Sequence, residues 1–264
     1  LSLLAAAGAG AVQPAWTVLP LSLFVLLCGV LPFFPRSSFF LPVVSRGDPG
    51  RPAVALTFDD GPDPLVTPLL LEILAAAGVP AAFFVTGERA ARHPERIRAI
   101  LAEGHEVGNH SWHHDPLLML RPMSVLRREV VQAQRILMEA GIVPRVFRPP
   151  VGITNARLPA VLREAGLTCV TFSRRGFDRG NRRVAGLAKR LLHGVRPGDI
   201  LLLHDVSPSG AGGIDCWLAE VRALLAGLRE RSLEVVLLSD LIGQSVMART
   251  GGEGKKDFDP TGQQ

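Results

Sequence analysis

Residues 53–87 read AVALTFDDGPDPLVTPLLLEILAAAGVPAAFFVTG, and the architecture is argued outward from them. Two short β-rich runs, AVALTF and AAFFVTG, flank an amphipathic stretch near Val66 to Ala77. A strand, a helix and a second strand joined by short links are the unit of a parallel sheet covered by helices. The pattern continues downstream. Further strands are predicted in HEVGN, VFRP, TCVTFS, DILLLH and EVVLLS, with helices near Arg89 to Glu103, Met123 to Ala140, Asn155 to Ala165, Val184 to His193 and Trp217 to Arg231. That alternation, about seven strands long, predicts an α/β fold closing in the manner of a distorted barrel. In such folds the chemistry gathers where strands end and loops begin.

The chain has 264 residues, of which 47% are hydrophobic and 20% charged, and a mean hydropathy of +0.26. This balance is too apolar for a disordered chain. The formal net charge is +5, yet the basic residues are not interleaved with aromatics and tyrosine is absent, which argues against a nucleic-acid binder. Cys28, Cys169 and Cys216 lie far apart with no CxxC, so neither a disulfide framework nor a thiolate metal site is expected. A bound metal would need histidines and carboxylates.

No charged residue precedes Arg36, and Ala15 to Phe34 reads AWTVLPLSLFVLLCGVLPFF. About 20 apolar residues suffice to cross a hydrocarbon core, so residues 1–35 are predicted to hold a transmembrane segment, with residues 1–12 as the remnant of an earlier helix, and the protein is placed at the cell membrane. A Pro- and Arg-bearing linker is expected over 36–52, a catalytic domain over 53–245, and a polar, disordered tail over 246–264.

The strand ends carry the polar residues. AVALTF runs into Asp59-Asp60-Gly61-Pro62, where the turn lets two neighbouring carboxylates serve one site, one on a metal and the other as a base. HEVGN leads into His110-Ser111-Trp112-His113-His114; His110 and His114 are four apart and can aim at one ion, with His113 as the weaker substitute. Two histidines and one aspartate leave coordination positions open for water and substrate, a set suited to zinc or another first-row divalent ion. VFRP delivers Arg148 beside Pro149 and Pro150, held toward a carboxylate such as Asp59. DILLLH delivers His204 at its carboxyl end.

Four motifs in this order, TFDDGP, HSxxH, RPPxG and LLLHD, strongly resemble the polysaccharide deacetylase family, also called the NodB homology domain or carbohydrate esterase family 4. The resemblance spans roughly Val54 to Gly243. It implies a distorted (β/α) barrel with fewer than eight strands, and a metal-dependent hydrolase of N-acetyl groups on amino sugars. Asp59 then corresponds to the catalytic base, and Asp60, His110 and His114 to the ligands of a divalent ion, zinc foremost, with cobalt, nickel or manganese as substitutes. Arg148 corresponds to the residue that orients the base, and His204 to the general acid.

Two departures stand out. Val151 replaces a common aromatic in the third motif, leaving its backbone N–H to face an oxyanion. The fourth motif reads FSRRGFD, so that Asp178 takes over the tuning of His204 and Arg175 stands where an acid is common. The Arg174-Arg175 pair points to an anionic group on the substrate. The predicted partners are a carbohydrate or lipid-linked amino sugar and the membrane, and SRRGFD resembles a membrane-anchored branch of the family. The alternatives on the same fold are a lipid-linked sugar deformylase and a non-catalytic glycan-binding anchor protein. Arg36, Arg46 and Arg51 after the apolar segment favour a cytoplasmic domain, whereas the family more often acts on envelope polymers outside.

Overall fold

The computed structural model describes residues 14–209 and 212–250. The chain begins with α1 (Pro14–Val30) and reaches β1 (Val43–Val44) and β2 (Ala53–Asp59). It continues through α2 (Val66–Ala77), β3 (Ala82–Val85), α3 (Gly87–Arg92), α4 (Pro94–Ala102), β4 (Glu106–Asn109) and α5 (Met123–Glu139). Then come β5 (Ile142–Pro144), β6 (Val146–Phe147), α6 (Leu158–Glu164), β7 (Thr168–Val170), β8 (Arg174–Arg175), α7 (Leu187–Leu192) and β9 (Ile200–His204). The last elements are α8 (Gly213–Glu230), β10 (Glu234–Val235), α9 (Leu238–Ile242) and β11 (Met247–Arg249).

Eight strands line up as β1-β7-β6-β4-β3-β2-β9-β8, with β10 pairing the start of β2. All these pairings are parallel. The sheet stays open between β1 and β8. It is nevertheless curled, because Val170 of β7 and Ile200 of β9, far apart in strand order, belong to one apolar cluster. The outcome is a half-barrel of eight strands, one more than predicted and without closure.

Strand parity decides what lies inside. Val54, Leu56 and Phe58 of β2 face the helices, with Phe83, Val107, Leu201 and Leu203 in the same cluster. Ala53, Ala55, Ala82, Phe84, Val146, Ile200 and Leu202 form the inner cluster. Because side chains alternate along a strand, Asp59 falls on the inner face with Ala53 and Ala55, and His204 with Ile200 and Leu202. Both stand at carboxyl ends, and Asp59 is the direct register partner of His204.

Several boundaries differ from the sequence-based expectation. The helix predicted over Arg89 to Glu103 breaks at His93, where φ of −131° and ψ of 56° leave the helical region, and Pro94 starts α4. The expected linker is partly built into the domain, since Leu41 is buried and β1 pairs with β7. Residues 246–249, expected in the tail, belong to the fold: Val246 is buried and β11 pairs antiparallel with β5. Residues 251–264, the rest of that predicted tail, lie outside the described residues.

The apolar segment predicted to span a membrane forms the 17-residue α1 and a following 3₁₀ turn at Leu31–Phe33. No helix among the described residues is long and apolar enough to cross a membrane. At 1.5 Å per residue, 17 residues reach only about 25 Å, short of a hydrocarbon core of about 30 Å. Residues 1–12, expected as a helix remnant, lie outside the described residues.

Candidate active site

Asp60 follows the end of β2 with φ of +73°, a left-handed turn that directs it into the same site as its neighbour Asp59. A non-glycine residue held there is uncommon, and such positions concentrate at functional sites. His114, at φ of +56°, and Ser111, at +64°, share this feature in the loop after β4. Ser111 N–H donates to Asn109 Oδ1 at 2.9 Å, and His114 N–H donates to Ser111 Oγ at 3.2 Å, which folds the loop back upon itself.

The loop brings three predicted ligands together. His110 Nε2 lies 3.3 Å and His114 Nε2 3.2 Å from the same oxygen, Asp60 Oδ1. That oxygen is buried and makes no hydrogen bond. His110 Nδ1 sits 2.7 Å from the carbonyl oxygen of Arg148, an acceptor only, so this nitrogen carries a proton and Nε2 is the nitrogen turned toward Asp60, with its lone pair free for an ion when the ring is neutral. Imidazole lone pairs facing a carboxylate oxygen that is buried and has no hydrogen-bond partner call for a cation between them. Ligands about 2.1 Å from one first-row ion lie roughly 3.0–3.4 Å apart; both nitrogen–oxygen distances fall in that range, and the three ligand atoms all lie within 4.8 Å of one another. Burial pushes the Asp60 carboxyl up, but the flanking His110 and His114, with His204 beyond, outweigh it and hold the group well below the usual carboxylate range.

His113 does not join them. Its Nδ1 lies 2.7 Å from Glu129 Oε1, while the N–H groups of Trp112 and His113 donate to Glu129 Oε2 at 3.2 and 2.9 Å. Glu129, buried on α5, thus clamps the ligand loop from behind. Replacing it with alanine leaves two loop N–H groups without a partner; each such loss costs roughly 1–3 kcal/mol. Displacement of an outer support of this kind lowers metal affinity about 10–100-fold. Urea denaturation and chelator competition on Glu129→Ala measure the two effects.

Arg148 enters the barrel interior after β6 and is fully buried. Its Nη1 donates to Asp59 Oδ1 at 2.6 Å and to Thr57 Oγ1 at 2.8 Å, while Nη2 and Nε donate to the carbonyls of Thr171 and Val170 at 2.7 and 3.3 Å. The guanidinium also lies 3.8 Å from the centre of the Phe84 ring. The predicted pairing with Asp59 is present. It occupies Oδ1, while Oδ2 lies 3.7 Å from His110 Nε2.

His204 Nδ1 lies 2.8 Å from Asp178 Oδ2. Burial lowers the pKa of this imidazole, but Asp178, with Asp60 and Asp59 behind it, more than compensates and pushes it up to about 9. Phe177, Arg179 and Asn181 all have positive φ, so the loop that presents Asp178 is bent at three non-glycine positions. Asn181 pins it, its side-chain amide donating to the carbonyls of His204 and Val206 at 2.9 and 2.7 Å. Neither Glu129 nor Asn181 was anticipated from the sequence. Val151 sits in a 3₁₀ turn with φ of +51° and an exposed side chain. Arg175 is not drawn into the Asp60 cluster; its guanidinium stands 4.5 Å over the Phe177 ring and lines a separate groove.

A parallel half-barrel that gathers an aspartate pair, two ligand-forming histidines, a buried arginine and an aspartate-held histidine at its strand ends defines a hydrolase of the carbohydrate esterase type. Residues 46–170 match the polysaccharide deacetylase family, and the chain belongs to that family as a hydrolase of amide carbon–nitrogen bonds. A chitooligosaccharide deacetylase of Bradyrhizobium sp. is 38% identical over 201 residues, 73% of this chain and 91% of that protein. A peptidoglycan-N-acetylglucosamine deacetylase of Bacillus cereus is 32% identical over 193 residues, 72% of this chain and 87% of the relative. Among solved structures, a peptidoglycan N-acetylglucosamine deacetylase superposes with a TM-score of 0.70 at 27% identity, covering 77% of this chain and 94% of that one. A family 4 carbohydrate esterase from Streptomyces lividans, in complex with acetate, gives 0.64 at 31% identity over 74% and 96%.

Proposed function

We propose that this chain hydrolyses the N-acetyl groups of N-acetylglucosamine units in an oligosaccharide or polysaccharide. The observation that carries the reading is the convergence of Asp60, His110 and His114 on one point beside the Arg148-held Asp59. The relatives that act on chitooligosaccharide and peptidoglycan support the substrate class.

Asp60, His110 and His114 would hold a divalent ion, zinc being the first choice for two imidazoles and a carboxylate. Such an ion supplies Lewis acidity, which lowers the pKa of water and polarises the acyl carbonyl. Asp59 is the base. Arg148 occupies its Oδ1, so Oδ2 takes the proton as water attacks the amide carbon. The N–H of Val151 stabilises the developing oxyanion. His204, kept protonated by Asp178, delivers its proton to the sugar nitrogen as the carbon–nitrogen bond breaks. Acetate and a free amine leave.

The acid role has a pH signature. With its pKa near 9, His204 holds its proton at neutral pH and loses it as pH rises through that value. Amide hydrolysis is therefore expected to decline on the alkaline side. Asn in place of Asp178 can still accept from Nδ1 but carries no charge, so Asp178→Asn should move the decline toward the ordinary histidine value of about 6.5. A pH–rate profile of both proteins on chitooligosaccharides, read by acetate release, tests the assignment; an unmoved alkaline limb contradicts it.

We further propose attachment at the cell membrane through α1. Val18, Leu19, Val25, Leu26, Phe33 and Phe34 all lie exposed on α1 and the turn after it, an apolar surface suited to lipid.

A further inference from the structure

A second groove lies apart from the catalytic site. It has a volume of about 1270 Å³ and lies between the β7–β8 region, α7 and α8, with Pro35 and Arg36 on its rim. Arg36, Arg174, Arg175, Lys189, Arg190 and Arg231 line it. Only two carboxylates oppose them, Glu220 and Glu230. Glu220 is already engaged, accepting from the N–H groups of Gly186 and Ala188 at 2.6 and 2.8 Å.

The cations are not equally free. Arg174 Nε reaches Asp199 at 3.3 Å, and Arg190 donates to the carbonyls of Gly176, Ala185 and Arg183. Arg36, Arg175 and Lys189 are exposed and have no carboxylate partner among the described residues. Three unpaired cations around one concavity are an anion site in search of an anion.

The surroundings select the kind of anion. Arg36 lies six residues beyond the end of α1, and its neighbour Pro35 is fastened to the domain by the Thr171 hydroxyl, which donates to the Pro35 carbonyl at 2.6 Å. Phe177 lines the groove under Arg175, and Phe33 and Phe34 precede Arg36 by three and two residues; each of the three is more than half exposed. A free phosphate gains nothing from exposed phenylalanines, and an acidic glycan can stack on Phe177 but has no use for the exposed apolar side chains of α1 that precede Arg36. A lipid uses both, because its phosphoryl group and acyl boundary lie side by side, the setting in which aromatic and basic residues are enriched.

We propose that this groove binds the phosphoryl headgroups of anionic phospholipids and seats the catalytic domain on the bilayer surface. The inference builds on attachment through α1, and its test separates the two. The full chain is floated with vesicles of phosphatidylcholine alone and of an equal mixture with phosphatidylglycerol, at low and high salt. The anionic mixture should bind on the order of 100-fold more tightly at low salt, as three cations near a charged surface predict. Replacing Arg36, Arg175 and Lys189 together with alanine should remove most of that preference. Replacing Arg98, Arg128 and Arg163, three exposed arginines outside the groove, changes net charge equally and should leave most of it. Matching circular dichroism and unfolding midpoints show that both variants fold. Equal losses in the two variants, or no anionic preference in the wild type, overturn the proposal. So does heparin binding that disappears in the groove variant while vesicle binding persists, which would make the groove a glycan site. Failure on phosphatidylcholine with retained, groove-dependent binding to the anionic mixture refutes attachment through α1 and leaves the groove assignment standing.

Discussion

Asp60→Ala is expected to lose its bound divalent ion and to lower amide hydrolysis by on the order of 10³-fold, since a catalytic metal supplies several kcal/mol of charge stabilisation. Asp60 Oδ1 is the one oxygen that both imidazoles approach, at 3.3 and 3.2 Å. Without it the remaining pair is a poor site. His114→Ala should behave similarly. His113→Ala should keep the ion, because its imidazole is turned to Glu129. Metal content of the three purified proteins, measured by atomic emission, decides the point; equal loading of His114→Ala and wild type would contradict the ligand assignment.

Asp59→Asn is expected to keep the ion and lose turnover by roughly 10²- to 10⁴-fold, the usual worth of a general base. An amide cannot take the proton. The same change has a second effect, on stability. Arg148 is fully buried and Asp59 is its carboxylate partner at 2.6 Å, and a buried charge deprived of its counter-charge typically destabilises by about 3–5 kcal/mol. The asparagine oxygen can still accept from Nη1, which places the loss at the low end. Kinetics and urea denaturation on the same preparation separate the two effects. A variant that retained more than about a tenth of wild-type turnover would place the base elsewhere.

The sequence made the site legible because apolar runs announce parallel strands and polar residues stand at their ends. AVALTF and DILLLH could be placed without coordinates, and with them Asp59, Asp60 and His204. Parity along β2 and β9 then put Asp59 and His204 on the inner face. Two-residue strands such as β1 and β8 have no such signal, since no periodicity can be read from two positions. Their partners in the fold create them.

The supports of the site were hidden for a different reason. Glu129 lies in the run Arg127-Arg128-Glu129 of an amphipathic helix, where a charged residue reads as part of the solvated face. Its three hydrogen bonds to the ligand loop come from residues 16 and 17 positions away and exist only after α5 packs. Asn181 likewise gains its role from two carbonyls more than 20 residues downstream. From the sequence, Arg175 is expected beside the site, facing an anionic group on the substrate. It instead stands on Phe177, because β8 turns it to the groove.

The central claim is that an ion held by Asp60, His110 and His114 lets Asp59 and His204 cleave an N-acetyl group. It is tested most directly by acetate release from N-acetylglucosamine oligomers, using purified protein first stripped with a chelator and then titrated with zinc, cobalt, nickel or manganese. The account predicts no acetate from the stripped protein and recovery that saturates near one ion per chain. Undiminished release after complete stripping, or no release under any loading with the fold intact, would contradict it.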